Sequence, residues 1–471
     1  MSSPPASASK PLDDRWYRVL LNDQPAGESH TRVYRTDTGD IQTDVTMRLT
    51  IRRADTTMEI GMSNTTVETD DGEVLRLTTR QGMSKVERET TAVVQGDKLL
   101  VTSGNVPSAR VFKQPFDIRA RGPWWVDRTS RKELRKPGDS LVAVTVFPEL
   151  QSCAELTLTL GEKESVEIDG ERRQLFRRTT AMNLLPGQDQ IEWVDESGVV
   201  QRGEFEIMGL KFALVLSSGK STPTPTGSAP EVLLSTAIKP DRPLPAGNSI
   251  VYRFSLKENT FDALDLGNAF TASGHKILET PGPSVRVVRI SRASPGKTVS
   301  LPVPARPEFE AFLQPSSIVQ SDHESIRTAA ADACEGVTDA FDAARRLEQW
   351  VHDHIQEKNL ETPFASALEA FESASGDCTE HGVLLAALAR SVGIPARLVT
   401  GLVYHEGKFI GHLWTEVFID RWIALDATRG HGFVGPDHIA LATSSLSEAA
   451  FGDVVLQLAR ILGNLDIQIV N

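Results

Sequence analysis

The chain has 471 residues, of which 40% are hydrophobic and 24% are charged, a composition typical of a soluble globular protein with about two to four domains. Its 50 Lys and Arg residues and 63 Asp and Glu residues give a net charge of −13. This balance argues against nucleic acid or an anionic membrane as a partner, because both bind basic surfaces. No run of about 18 apolar residues is present, so the sequence predicts no membrane span.

The cysteines and the N-terminus restrict the class of protein further. Cys153, Cys334 and Cys378 are far apart and odd in number, which predicts neither a disulfide framework nor a zinc site and leaves at least one free thiol. The segment before Trp16 lacks the apolar region of a secretory signal. We therefore expect a cytoplasmic protein, or an exported one if the true start lies upstream. The sequence indicates no cofactor and no metal, and it leaves the oligomeric state open.

Composition and periodicity divide the chain into five segments. Residues 1–13, rich in Pro, Ser and Ala, are predicted to be a disordered tail. Residues 14–216 are predicted to form an all-β N-terminal domain, and residues 231–307 a small β-sandwich-like domain. A Pro/Ser/Thr/Gly linker at 217–230 separates the two. Residues 308–471 carry helical and strand patterns and form the predicted C-terminal domain.

The β assignment rests on alternation and on turn residues. Residues 41–51 alternate apolar and polar side chains with a period of two, as a half-buried strand does. Turn-forming pairs such as Asp169-Gly170 recur between runs of this kind. The pattern predicts an antiparallel sandwich or half-open barrel for the N-terminal domain, and residues 249–256 carry a similar signal in the second β domain.

Helical periodicity appears in the C-terminal segment. Ser321 and Glu324 fit a capping box at a helix start. A second helix is predicted from the spacing of five apolar residues, Phe341, Ala344, Leu347, Val351 and Ile355. These patterns predict that helices join the strands of the C-terminal domain in an α+β fold.

Cys378 lies at the predicted start of a third helix. The helix extends over residues 379–392, and Gly393 stands where a C′ glycine ends a helix. One face of this helix is apolar, at Val383, Leu384, Ala387 and Leu388. The unpaired N–H groups and the positive dipole at its N-terminus are expected to favour the thiolate of Cys378 over the thiol. The backbone N–H of Cys378 is also placed to donate a hydrogen bond to an oxyanion.

Three strand-like runs follow, at residues 397–404, 412–419 and 422–426, and the last two carry His412 and Asp426. A strict two-residue turn between the last two would place His412 and Asp426 on opposite faces of the sheet. A three-residue connection would instead place Asp426 opposite Trp414, one diagonal step from His412 and within reach of an imidazole–carboxylate hydrogen bond. If the two groups act together, the sequence requires a three- or five-residue connection, or a bulge.

These groups suit a thiol nucleophile. A thiol of pKa about 8.5 is mostly protonated at neutral pH, so a nearby imidazole must take its proton. A carboxylate then fixes the imidazole tautomer and stabilises the cation. We therefore predict Cys378 as the nucleophile, His412 as the base and Asp426 as the residue that orients the base.

Two stretches of the C-terminal domain resemble the bacterial transglutaminase-like superfamily, namely GDCTEHGVLLAALARSVGIPAR and GHLWTEVFIDRWIALDAT. The resemblance covers about residues 310–463. It implies an α+β papain-like core, with helices packed on an antiparallel sheet, in which Cys, His and Asp follow each other in that order. Cys378, His412 and Asp426 match these positions. It also suggests that residues 364–368 and 438–441 are framework.

The resemblance implies cysteine-dependent acyl transfer from the amide of a peptide or protein through a thioester on Cys378. Hydrolysis by a protease or amidase is favoured by similarity to the bacterial branch. Two alternatives stay open, a protein-crosslinking transglutaminase with an amine acceptor and a non-catalytic binding or scaffold protein that retains the fold. Four residues are predicted to bind substrate or support the triad, namely Asp377, Glu380, His381 and Trp414. Cys378 and His381 imitate a metal pair, but without a second cysteine nearby we predict no zinc site.

Overall fold

The structure is a computed structural model. It describes residues 10–53, 56–83, 86–103, 109–219, 229–232, 235–264, 266, 269–357, 365–430, 434–447 and 450–470. The chain divides into two compact units, an N-terminal unit of Met1–Arg52 and Thr57–Pro230 and a C-terminal unit of Arg53–Thr56 and Glu231–Asn471. Most of the predicted tail, residues 220–228 of the predicted linker, and Phe364 lie outside the described residues. The division into five segments stays a prediction.

The N-terminal unit consists mainly of one antiparallel sheet. Its described strands are β1 (Asp13–Leu21), β2 (Gln24–Arg35), β3 (Ile41–Arg53), β4 (Thr56–Glu68), β5 (Val74–Met83), β6 (Val86–Gln95), β7 (Lys98–Ser103), β8 (Arg110–Pro115), β9 (Ser140–Phe147), β10 (Ser152–Ile168), β11 (Glu171–Met182), β12 (Gln190–Val194), β13 (Val200–Ile207) and β14 (Leu210–Ser217). Their order is β8-β7-β6-β5-β4-β3-β2-β1-β14-β13-β12-β11-β10-β9. The mainly antiparallel β structure predicted for this part of the chain is confirmed.

Local sequence explains the hairpins of this sheet and the start of its helix. Asp169 and Gly170 both have positive φ angles, 54° and 79°, as a two-residue turn between twisted strands requires. Helix α1 (Pro123–Glu133) begins after a glycine, without a side-chain cap of its own. The buried carboxylate of Glu68 accepts the N–H groups of Trp124 and Trp125 instead, at 3.1 and 2.8 Å. The first N–H groups of a helix have no carbonyl acceptor within the helix. In α1, the Glu68 side chain of β4 is that acceptor.

The C-terminal unit contains two four-stranded sheets within its described residues. Their strands are β15 (Ser249–Leu256), β16 (His275–Gly282), β17 (Val285–Ser291), β18 (Ala396–His405), β19 (Lys408–Phe418), β20 (Trp422–Leu425), β21 (His438–Ser444) and β22 (Leu465–Ile469). The first sheet has the order β16-β17-β15-β22 and the second β20-β19-β18-β21. The C-terminal strand β22 pairs with β15, so the sheet of the predicted small β domain includes a strand from the end of the chain.

The described helices of this unit are α2 (Glu324–Ala333), α3 (Ala340–His354), α4 (Ala367–Ser373), α5 (Cys378–Ser391) and α6 (Ala450–Ile461), with a 3-10 helix at Pro307–Phe312. Two of them, α5 and α6, contact the second sheet, and α2, α3 and α4 pack against α5. The predicted capping box at Ser321 is wrong. His323 is the N-cap of α2, and its Nδ1 accepts the N–H of Ser325 at 3.3 Å. None of the helices in the described parts of the chain combines the length and the apolar character needed to cross a bilayer.

Helix α5 is the centre of the core of this unit. Its residues from Thr379 to Arg390 are all buried, so the helix is enclosed on every side rather than on the single apolar face expected from the sequence. It ends as predicted, because Gly393 has a φ of 80° and the N–H of Ile394 bonds to the carbonyl of Ala389 at 2.9 Å. A helix fixed at both ends and buried along its length holds its first residue, Cys378, in a defined place.

Candidate active site

The start of α5 is built by a capping box around Cys378. Asp377 is the N-cap, and its carboxylate accepts the N–H of Thr379 at 2.8 Å. The carboxyl of Glu380 accepts the N–H of Asp377 in return, at 2.9 Å. Cys378 is therefore the first residue of the helix, where a backbone N–H has no intrahelical acceptor. Its side chain is half-buried, and it is a free cysteine.

The Cys378 sulfur lies beside strand β19. The backbone N–H of Leu413 lies near it and acts to lower the pKa of the thiol. The pairing of β19 with β20 ends at Thr415, which lies opposite Leu425. Leu413 therefore lies beyond the end of β20. The contact places the thiol one residue along the backbone from His412.

The pKa of the Cys378 thiol differs from the sequence-based expectation. Burial raises it well above its usual range, and the neighbouring Asp377 carboxylate raises it further, while the Leu413 N–H lowers it. The prediction that the helix N-terminus favours the thiolate is therefore wrong for the resting site. A dipole effect is worth at most about 2 kcal/mol, whereas burial shifts a pKa by up to about 3 to 5 units.

His412 and Asp426 form a hydrogen-bonded pair. Phe418 pairs with Trp422, which leaves three residues in the connection between β19 and β20, the length that the triad hypothesis requires. This register brings Asp426, next after β20, opposite Trp414. The His412 Nε2 lies 2.9 Å from the Asp426 Oδ2. Both side chains are buried, so the pair is only weakly screened by solvent.

The charge of Asp426 fixes the tautomer of His412. Burial acts to raise the pKa of Asp426, but hydrogen bonds from His412 and His438 hold it well below its usual range. An ionised carboxylate only accepts hydrogen bonds, so the His412 Nε2 carries the proton in this pair. In the neutral ring the lone pair is then on Nδ1, which makes Nδ1 the basic atom.

Helix α3 supports the backbone around Asp426. The buried carboxyl of Glu348 accepts the N–H of Asp426 at 3.0 Å. The His352 Nδ1 lies 2.9 Å from the carbonyl oxygen of Ala427. The Asp426 Oδ1 accepts the N–H of Thr428 at 3.1 Å. The carboxylate that faces His412 is thus fixed by contacts on its main chain as well as on its side chain.

His438 is a site residue that the sequence analysis missed, because it was assigned to framework. Its Nε2 lies 3.2 Å from the same Asp426 Oδ2 that binds His412. His412, Asp426 and His438 each offer one side-chain atom that could bind a metal ion, and these three atoms all lie within 4.8 Å of one another. The adjacent Asp437 and His438 in the sequence were a signal of a polar site. The partner that places His438 in this site, Asp426, directly follows another strand, β20.

The four predicted supporting residues are all buried. Asp377 and Glu380 form the cap of α5, and burial raises the pKa of Glu380 to about 8, with a further contribution from Asp377. The His381 Nδ1 lies 2.6 Å from the carbonyl oxygen of Asp377. Trp414 is 2% exposed and packs edge-on to His438, with ring centroids 5.3 Å apart. Such burial favours support of the site over direct contact with a substrate.

Comparison with protein families identifies this part of the chain. The model of the transglutaminase-like superfamily matches residues 327–427. The match includes Cys378, His412 and Asp426. The comparison with curated proteins finds no match.

Three solved structures are similar to parts of the chain at low identity. A candidate cysteine protease from Cytophaga hutchinsonii is 18% identical, covers 47% of this chain and 89% of its own, and has a TM-score of 0.31. A beta-barrel-like protein from Brucella abortus, which contains a domain of unknown function, is 11% identical and covers 45% of this chain and 98% of its own, with a TM-score of 0.35. A candidate protease from Parabacteroides distasonis is 12% identical and covers 76% of this chain and 68% of its own, with a TM-score of 0.21.

Proposed function

We propose that the C-terminal third of the chain has a papain-like core and is a cysteine-dependent amidase or protease. This region belongs to the transglutaminase-like superfamily. The observation that supports this proposal is the His412–Asp426 hydrogen bond of 2.9 Å, on the strand whose Leu413 N–H acts on the thiol of Cys378. The substrate is an amide of a peptide or protein. Cys378 is the nucleophile, His412 the general base and Asp426 the residue that orients it.

Acylation begins with a neutral thiol. The Nδ1 of His412 takes the proton of the Cys378 thiol as the sulfur attacks the amide carbon, and the carbonyl oxygen becomes an oxyanion. The backbone N–H of Cys378 is available to this oxyanion, because the Asp377 cap accepts the N–H groups of Thr379 and Glu380. The His412 imidazolium then gives its proton to the departing amine, and a thioester forms on Cys378.

Deacylation regenerates the thiol. The Nδ1 of His412 takes a proton from water, and the hydroxyl oxygen attacks the thioester carbon. The carbon–sulfur bond breaks, the sulfur recovers the proton from His412, and a carboxylic acid leaves. Asp426 stabilises the imidazolium in both halves of the reaction and remains ionised throughout.

The raised pKa of the Cys378 thiol is the observation that favours the non-catalytic alternative. A binding or scaffold domain has no use for an activated cysteine, and a neutral resting thiol fits that role. The ordered His412–Asp426 pair favours catalysis, because a buried carboxylate that fixes the tautomer of an imidazole has no evident use in a scaffold. A crosslinking transglutaminase would use the same three residues with an amine in place of water.

The decisive experiment is incubation of the full chain with peptide libraries, with and without an added primary amine, read by mass spectrometry. We expect release of free acids by the wild type and none by the Cys378→Ala variant. Cys153→Ala is the matched control, because it removes a half-buried cysteine of the N-terminal unit and leaves the product pattern unchanged.

The other outcomes contradict the proposal in different ways. Amine adducts as the main product indicate a transglutaminase. No product from the wild type, together with iodoacetamide labelling of Cys378 that follows the pH profile of an unassisted thiol, indicates a non-catalytic domain. Product from the Cys378→Ala variant would place the reaction at another site.

A further inference from the structure

His438 is held between two carboxylates. It is the first residue of β21 and is 2% exposed. Its Nε2 lies 3.2 Å from the Asp426 Oδ2, and its Nδ1 lies 3.0 Å from the Asp437 Oδ1. Asp437 is bound in turn by Arg429 at 2.6 Å. Both ring nitrogens of His438 therefore face oxygen atoms of acidic side chains.

This geometry determines how many protons His438 carries. A neutral imidazole has one N–H and one lone pair, and a lone pair facing an ionised carboxylate is repelled. Only the imidazolium donates to both neighbours at once. Burial acts to lower the pKa of His438, but the hydrogen bonds to Asp426 and Asp437 outweigh burial and shift it upward. Burial and His438 hydrogen bonding have opposite effects on the pKa of Asp437 as well, and the net direction is downward.

We propose that His438 is a positioning residue of the active site, a buried imidazolium that fixes Asp426 in place and limits the negative charge available to His412. This inference rests on the proposed function, because Asp426 matters for catalysis only if His412 is the base. It adds a second histidine on the far side of the carboxylate. The Asp426 Oδ2 accepts hydrogen bonds from both rings, so each ring defines the direction of the other.

The fixed charge of His438 also acts on the positive charge that forms on His412 during the proposed reaction. The ring centroids of His412 and His438 are 5.7 Å apart. Two positive unit charges at this distance, at an effective dielectric constant of about 20, repel each other strongly. A cationic His438 therefore opposes a second positive charge on His412, and replacing it with a neutral side chain removes that repulsion.

Other ionisable groups surround His438. Asp426 and Arg429 follow β20, and Asp437 precedes β21. His275 of β16 lies close by, with its Nε2 accepting the N–H of Ala440, and burial lowers its pKa to about 4. The ring is thus uncharged near neutral pH and adds no second cation.

More distant groups act through these neighbours. Glu348 of α3 holds the backbone of Asp426, and the hydroxyl of Tyr252 in β15 donates to the carbonyl of Pro436. The hydrogen bonds of the His438 ring nitrogens go to the two aspartates. The charge of His438 is therefore governed by Asp426 and Asp437.

Two substitutions separate the charge of His438 from its hydrogen bonds. His438→Gln keeps an N–H near the position of Nε2, directed at Asp426, without the charge. His438→Asn keeps an N–H near the position of Nδ1 and loses the bond to Asp426. His405→Gln is the control, because His405 is an exposed histidine of β18. The measurements are the pH profile of kcat/KM on a peptide that the wild type cleaves, and nitrogen NMR of the histidine rings in the full chain.

We expect His438→Gln to retain kcat within about threefold and to shift the acidic limb of the profile upward by about 1 to 2 pH units. We expect His438→Asn to lose kcat by about tenfold or more, because Asp426 is no longer held. In the wild type at pH 8, His438 should show two protonated ring nitrogens. His405→Gln should leave kcat, the profile and these signals unchanged.

Several results would overturn the inference. One is a pH profile that is unchanged in both His438 variants, and another is an equal loss of kcat in both variants without a shift of the acidic limb. A third is a wild-type His438 ring with only one protonated nitrogen at pH 8. Activity that depends on added zinc, and is lost with a chelator, would mean that the three side chains bind a metal. The NMR signals require no substrate, so they test His438 even if the wild type cleaves nothing and the proposed function fails.

Discussion

Glu348 links the stability of the C-terminal unit to pH, and the Glu348→Gln variant tests this link. The carboxyl is 2% exposed. It accepts the N–H of Asp426 at 3.0 Å and pairs with Arg345. Burial raises the pKa of Glu348 from 4.5 to about 7, against the effect of Arg345. The folded state therefore holds a proton on this group more tightly than the unfolded state does.

The sign and size of the effect follow from this difference. Between pH 4.5 and 7 the unfolded chain loses the proton first, so the free energy of unfolding falls as the pH rises. The difference of about 2.5 pH units, at about 1.4 kcal/mol per unit, corresponds to a loss of about 3 kcal/mol. Glu348→Gln cannot titrate and escapes this loss. Relative to the wild type, the variant should therefore gain about 3 kcal/mol of stability between pH 4.5 and pH 8.

Hydrogen exchange measured by mass spectrometry can follow this unit alone, through peptides that cover α3 and β20. The free energy of opening is compared between wild type and variant at pH 4.5 and pH 8, with the intrinsic exchange rates corrected for pH. Glu372→Gln, at an exposed position of α4, is the control and should change the difference by less than about 0.5 kcal/mol. A Glu348→Gln difference that is constant within about 1 kcal/mol across this range would refute the reasoning.

Two further predictions concern the strands that carry the site. Gly401→Ala should destabilise the C-terminal unit by at least about 3 kcal/mol, because its Cβ would lie 2.1 Å from the carbonyl oxygen of Ile439. Gly411→Ala on the neighbouring strand is the matched control with a change below about 1 kcal/mol, since nothing described lies within 4 Å of that Cβ, and urea unfolding measures both. Asp426→Asn should lower kcat by about 10³- to 10⁴-fold with unchanged circular dichroism, because an amide no longer fixes the tautomer of His412, and a loss below tenfold would contradict the assigned role.

Local patterns predicted the parts of the site that depend on neighbouring residues in the chain. The helix that begins at Cys378 and ends before Gly393 follows from turn and capping chemistry that acts within a few residues. For the connection between β19 and β20, the period-two geometry of strands excluded a two-residue turn if His412 and Asp426 act together, and left three or five residues or a bulge open. Sequence alone was therefore sufficient for the helix, whereas the choice of the three-residue connection required the register of the two strands.

The residues that the sequence did not reveal are those that reach the site from other elements. Glu348 lies on the buried face of α3 among apolar residues, and a charged residue within such a face was a signal of a polar partner. His438 begins β21, and the strand order β20-β19-β18-β21 separates it from β20. Sequence periodicity gives the face of a strand but not the order of strands in a sheet. The contact with Asp426 therefore required the structure.

The same limit explains why the expected thiolate is wrong. A helix N-terminus is visible in a sequence, but its effect on Cys378 is opposed by burial and by the Asp377 carboxylate, which depend on the whole fold. Asp426 and His438 are already an adjacent pair of opposite charges, so a resting thiolate and His412 imidazolium would add two more charges to a buried site. The neutral thiol avoids that desolvation cost. In the proposed reaction, the oxyanion and the His412 imidazolium form only when the sulfur attacks a substrate carbonyl. The site then stabilises the transition state rather than a resting thiolate.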